Sequence, residues 1–170
     1  QDISSDMLEL AEHNKQVSTV GGNLNFVLAD YEDLSLPEEF DCAVFFDSLH
    51  HSVDEGAAIS CVYRALKPGG ILLTHEPGEG HSGAPGSIEA MKLYGVNERD
   101  MPPHLIIRRG LEAGFREFRI YPMPHDIKTL FYEKRPPSRF SWAGFKLARR
   151  ALRLAFNPSD RSSAIVMMVK

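Results

Sequence analysis

The stretch Leu66-Lys67-Pro68-Gly69-Gly70 constrains this chain more than any other. A helical pattern with Ala58, Val62 and Leu66 on one face runs into it, and the apolar run "GILLTHE" (70–76) leaves it at once. Proline cannot continue a helix, and glycines tolerate the positive-φ geometry that ends one. The run upstream, "FDCAVFFD" (40–47), is apolar along its length rather than alternating. Strand, helix and strand in that order, with continuous apolar runs, predict parallel strands buried on both faces.

The remaining segments extend the same pattern. Ser4 or Ser5 can cap a helix carrying Met7, Leu8, Leu10 and Ala11, expected to fray near Asn14. "LNFVLAD" (24–30) reads as a buried strand ending at Asp30, and the 40–47 run as a second. Asp54 or Glu55 opens the helix that reaches Leu66. Residues 86–95 look helical, and a second helix over 102–114 begins with proline and closes at Gly114. "FREFRIYPM" (115–123) and "SSAIVMMVK" (162–170) are the last two strands, separated by a long insertion with one helix over 142–156. The expected fold is an open α/β sheet ending in a β-β element, one domain over 1–170.

At 170 residues, 43% hydrophobic and 25% charged, the chain suits one globular core. No apolar run reaches the length of a membrane span, and residue 1 is not followed by a signal-peptide pattern. Cys42 and Cys61 lack metal-ligand spacing and read as buried free thiols of a cytoplasmic protein. The net charge of −4 conceals a division. Residues 125–161 hold nine Lys or Arg against three acidic residues, +6, which leaves −10 for the rest. That split marks a distinct surface on the insertion rather than a nucleic-acid-binding domain.

Four stretches in sequence resemble the class I S-adenosylmethionine-dependent methyltransferases. They are "DISSDML" (2–8), "LADYEDLSLP" (28–37), "FDCAVFFDSLHH" (40–51) and "RALKPGGILLTHEP" (64–77). The resemblance implies a Rossmann-like sheet, mostly parallel with an antiparallel last strand and helices on both faces, and S-adenosylmethionine as cofactor. The family's glycine-rich loop follows the first strand, about 20 residues before the ribose carboxylate. Here that carboxylate is residue 2, and no Gly-x-Gly follows a strand and opens a helix. The chain therefore reads as the downstream part of a longer methyltransferase whose first βα unit is missing. Loss of that strand would leave a slot about 4.8 Å wide, lined by unpaired backbone groups.

In open α/β sheets, ligands bind beyond the carboxyl ends of the strands. The resemblance gives Asp2 the ribose hydroxyls and Asp30 the adenine amine, with Tyr31 beside it and Ile3 on the adenine face. As bland alternatives, Asp2 is a helix-capping acid and Asp30 a loop acid. Phe45, Phe46 and Asp47 form the tip of the 40–47 strand. One phenylalanine is expected to face the sulfonium, which an aromatic face attracts, and the other to enter the core.

Methyl transfer depends mainly on positioning, and an oxygen acceptor gains from a general base. His50, His51, His75 and His81 are the candidates, with Glu76 and Glu79 nearby; His51 and His81 lead as bases. Helix capping and strand-end packing are the plain roles for such histidines. A metal site built on His75, His81 and the two glutamates matches no ligand spacing and is not expected. "FDSLH" replaces the Asn-Pro-Pro-Tyr/Phe of DNA amino-methylases, so nucleic acid is not the expected acceptor. The expectation is transfer to a small-molecule or carbohydrate acceptor at oxygen. A non-catalytic module of the same fold, binding a partner protein through exposed strand edges, is the alternative. The basic helix 142–156 reads as a solvated face, a lid over an anionic acceptor, or a contact with an anionic membrane.

Overall fold

A computed structural model describes residues 1–18, 21–123, 138, 140–156 and 163–170. The expected insertion 125–161 falls largely outside them, its helix excepted. Ser4 opens α1 (Ser5–Val17), its hydroxyl accepting from the Met7 N–H at 3.3 Å. The helix passes the expected fraying point and buries none of its residues. β1 (Phe40–Phe46), α2 (Glu55–Ala65), β2 (Leu66–Glu76), α3 (Pro85–Tyr94) and α4 (Pro103–Ala113) follow. β3 (Glu117–Pro122), α5 (Trp142–Phe156) and β4 (Ala164–Val169) complete the described elements.

The sheet order is β1-β2-β4-β3. β1 pairs parallel to β2, while β4 runs antiparallel to both β2 and β3. Three strands therefore share one direction and the last is reversed, as the sequence predicts. α2 ends at Ala65, capped by Leu66, and the break is built into β2 itself. Phe40 pairs Leu66 and Cys42 pairs Ile71, so Lys67 to Gly70 bulge opposite Asp41 alone. Gly69 sits at φ 79°, and a Cβ on Gly70 would lie 2.9 Å from the Lys67 carbonyl oxygen. Both positions need glycine. The bulge is tied to the chain end, with Gly69 N–H donating to the Lys170 carbonyl and Lys170 N–H to that of Gly70.

α2 and α4 pack on one face, where Ala58, Ile59, Val62 and Ile106 bury against Leu72, Val166 and Met168. Gly110 lets α4 approach β4, since a Cβ there would strike the Met168 sulfur. Glu55, 3% exposed, joins these layers through Arg99 and Arg109 at 2.8 and 2.9 Å. Burial works against its ionisation, but its own N–H and the two guanidiniums outweigh that and hold the carboxyl below its ordinary range.

Three expectations are corrected. Residues 24–30 form no strand: only Leu28 pairs, in a parallel bridge with Asp2, and Leu24 and Leu28 are exposed. A strand needs a ladder for its N–H and C=O groups, and Asp2 supplies one rung. β1 forms as predicted, yet only Phe45 of it is buried. Cys42 is exposed with Phe40, Val44 and Phe46 on the alternate positions of β1, whereas Cys61 is buried as expected. Both thiols are free.

Candidate active site at the carboxyl ends of the strands

β1 and β2 end side by side at one rim. Asp47 follows β1 at φ 47°, alone among the described non-glycine residues in a positive-φ conformation. Its N–H donates to the His75 carbonyl at 2.8 Å, and its Oδ1 lies 3.1 Å from His75 Nδ1. Phe46, 66% exposed, stacks on the His75 ring at 4.4 Å between centroids. Phe45 points into the core, edge-on to Tyr31 at 5.5 Å. Strand alternation thus resolves the pair: Phe45 in, Phe46 out.

The rim continues toward the N-terminus. Tyr31 is half-buried and donates its hydroxyl to the Ser48 carbonyl at 3.0 Å. Burial, followed by the negative charges of Asp30, Glu32 and Glu76, pushes its phenol up to about 12. Asp30 is exposed, one oxygen accepting the Glu32 N–H at 2.9 Å. Asp2 bridges to Leu28 through its backbone, and its Oδ1 accepts the Ser4 N–H at 2.9 Å. Ile3 beside it is 69% exposed. Asp2, Asp30, Tyr31 and Asp47 are thereby linked by short backbone and side-chain steps.

A denser cluster lies beyond β2. Glu76 is 1% exposed and accepts the N–H groups of Ser48, Leu49 and His50 at 3.2, 2.9 and 3.3 Å. His50 Nδ1 lies 2.7 Å from the same carboxylate, so that nitrogen carries its proton. The other ring nitrogen is 3.6 Å from Glu98. Glu98 also receives His81 Nε2 at 2.6 Å and lies 3.9 Å from His51 Nδ1. His51 Nδ1 sits 2.6 Å from the Asn97 carbonyl oxygen, and the Asn97 amide donates back to the His51 carbonyl. The glycine-rich loop carrying His81 is pinned by Asp100, which accepts the N–H groups of Gly80 and Ser82 at 2.8 Å each. Those two bonds hold the Asp100 carboxyl below its ordinary range.

Of the expected residues, His51 and His81 meet around Glu98, with His50 as a third imidazole. His75 turns instead to Asp47, and Glu76 secures the turn after β1. His75, Glu76 and His81 are therefore split among different partners. Donor atoms of His50, His51 and Glu98 do lie within 4.8 Å of one another, close enough for one cation to touch all three. Glu98 and Asp100 were not legible in advance: "NERD" (97–100) matches no motif, and its partners lie 17 to 48 residues away. Imidazoles oriented by carboxylates can accept and pass on a proton near neutral pH.

Residues 1–74 match a family model described as a methyltransferase domain. Two relatives named ubiquinone/menaquinone biosynthesis C-methyltransferase UbiE match over 76 residues. The one from Haemophilus ducreyi is 41% identical and the one from Edwardsiella ictaluri 38%. The matches cover 44% of this chain and 29% and 30% of those proteins, so the chain spans about three tenths of the curated relatives' length. Among solved structures, phosphoethanolamine N-methyltransferase 2 of Haemonchus contortus superposes with a TM-score of 0.64 at 20% identity. It covers 99% of this chain and 42% of its own. A methyltransferase from Mesorhizobium loti gives 0.61 at 18% identity, covering 99% and 78%.

The N-terminal match is to a methyltransferase domain, and the fold over the described residues is the one seen in solved methyltransferases, in line with the resemblance carried by the four sequence stretches.

Proposed function

We propose that this chain forms the downstream part of an enzyme that transfers the methyl group of S-adenosylmethionine to a small-molecule acceptor. Asp2, Ile3, Asp30 and Tyr31 receive the adenosine half of the cofactor, and Phe46 and Asp47 border the sulfonium. The acceptor lies across the rim, toward His51, His81 and Glu98. The observation that carries this reading is one rim bearing both halves: a line of carboxylates with exposed apolar neighbours, and a carboxylate ringed by three imidazoles.

Three imidazoles around Glu98 suit an acceptor that must lose a proton. A hydroxyl oxygen is one such atom. Carbon is another, and the relatives' names, C-methyltransferases, favour it. The carbohydrate expectation keeps only the polar character of the loop 78–84 in its support. The rival reading, a partner-binding module, draws on the exposed β1 residues Phe40, Val44 and Phe46.

The test supplies methyl-labelled S-adenosylmethionine with phenolic, enolisable and sugar acceptors, and locates the label in the product. Label should enter one acceptor class, and His81→Gln should slow transfer about 10²–10⁴-fold while leaving cofactor affinity unchanged. A folded protein that binds no cofactor and labels nothing supports the partner-binding module instead.

A further inference from the structure

The basic insertion leaves and rejoins the sheet at the same rim as the candidate site. Pro122 and Glu76 both pair with Ala164, and Gly78 N–H donates to the Ser163 hydroxyl at 3.1 Å. Its described helix, α5, begins where Ser141 Oγ accepts the Gly144 N–H at 3.0 Å. Gly144 is buried, and Leu147 and Ala151, at helical spacing from it, are partly buried. The outward side would normally be polar. Instead Trp142, Phe145, Arg149 and Leu152 form one stripe there, with Trp142, Phe145 and Leu152 71, 56 and 58% exposed. Phe140, just before the helix, is fully exposed. The Trp142 and Phe145 rings stack at 5.7 Å, and Lys146 Nζ lies 5.8 Å over the indole.

Large apolar side chains interleaved with exposed Lys146 and Arg149 are costly in water and suit a headgroup–acyl boundary. Charge selects the kind of surface. Residues 125–161 carry +6 and the remainder −10, so an anionic bilayer attracts this face and repels the others. Among the described residues no helix is long and apolar enough to cross a membrane, so contact through α5 is peripheral.

We infer that the outward face of α5, with Phe140, docks on an anionic lipid bilayer and so holds the rim of the sheet against the membrane surface. Given the methyl-transfer reading, the acceptor class is then amphiphilic molecules presented from the lipid phase. The docking itself does not depend on that reading.

Trp142 is the sole tryptophan of the chain, so its emission reports on this face directly. The full chain is titrated with vesicles of phosphatidylcholine alone and of phosphatidylcholine with 30 mol% phosphatidylglycerol. Flotation and tryptophan emission are both read. Binding to the anionic vesicles is expected, with a blue shift, quenching by brominated acyl chains, and release by salt. Lys146→Glu with Arg149→Glu should weaken partitioning at least tenfold, and Phe145→Ser with Leu152→Ser should abolish quenching. These positions are exposed, and unchanged circular dichroism confirms folding. No emission change with either vesicle overturns the proposal. So does a blue shift that follows protein concentration without lipid, which assigns the face to a second copy. Cofactor binding measured separately keeps failure here distinct from failure of the methyl-transfer reading.

Discussion

The two halves of the rim are built by opposite rules. Around Glu76 and Glu98 almost every polar atom is turned inward: one buried carboxylate accepts three backbone N–H groups and an imidazole, and the next holds three imidazoles near it. At Asp2 and Asp30 the carboxylates each accept one local turn N–H, Asp47 faces His75 of the neighbouring strand, and the apolar residues near them, Ile3, Leu28 and Phe46, stand in solvent. The first half is fixed by its own internal bonds. The second keeps polar and apolar surface uncommitted, as a face built to be covered by a ligand does. Substitutions should therefore separate: stability is lost on one side, ligand affinity on the other.

Glu76→Ala tests the bonded half most severely. It leaves three N–H groups and His50 without their acceptor inside the protein, and should cost about 3–5 kcal/mol in chemical denaturation. Glu98→Gln keeps the shape but removes the charge facing the imidazoles. A loss of about 1–2 kcal/mol is expected, with a larger effect on the pH dependence of methyl transfer. On the open half the pattern inverts. Asp2→Ala and Asp30→Ala should change stability by less than about 0.5 kcal/mol, yet each should weaken S-adenosylhomocysteine binding about 10- to 100-fold. Equal stability losses on both sides would break the comparison.

The smallest effects are those of pH. The Tyr31 phenol is raised to about 12 in the folded protein, above its ordinary value of 10.0. The unfolded chain therefore loses that proton first, and stability falls as pH rises from about 10 to about 12. Tyr31→Phe should flatten that decline in a pH series of thermal melts. Asp100 has the opposite sign. Its carboxyl is lowered by the Gly80 and Ser82 N–H groups, so its contribution holds above the ordinary carboxylate range and fades as pH drops through the folded value. Asp100→Asn should blunt part of the acid sensitivity.

Features fixed by neighbours in sequence were legible in advance. The chain break at 67–70, the Asp54 cap of α2 and the closure of α4 at Gly114 depend on residues a few positions apart, although the break proves to be a bulge within β2. The strand readings placed Asp47 at the end of the 40–47 run and His81 in the loop after the 70–76 run, and the resemblance placed His51 beside the cofactor cleft. What escaped depends on distant pairing. Glu98 meets His50 across 48 residues with no motif between them, and its burial follows from where α3 and α4 let the chain return. The 24–30 segment misled for a related reason: its apolar residues describe a strand, but one pairing residue cannot sustain a ladder. Phe45 and Phe46 were ambiguous until the direction of the pleat was known.

Calorimetric titration with S-adenosylhomocysteine reaches the centre of the account most directly. The longer protein of which this chain is proposed to be the downstream part should bind one equivalent with a dissociation constant on the order of micromolar, weakened at least tenfold in Asp30→Ala and unchanged in Glu98→Gln. An absence of heat from the same well-folded protein, or binding indifferent to Asp2, Asp30 and Asp47 alike, would contradict it.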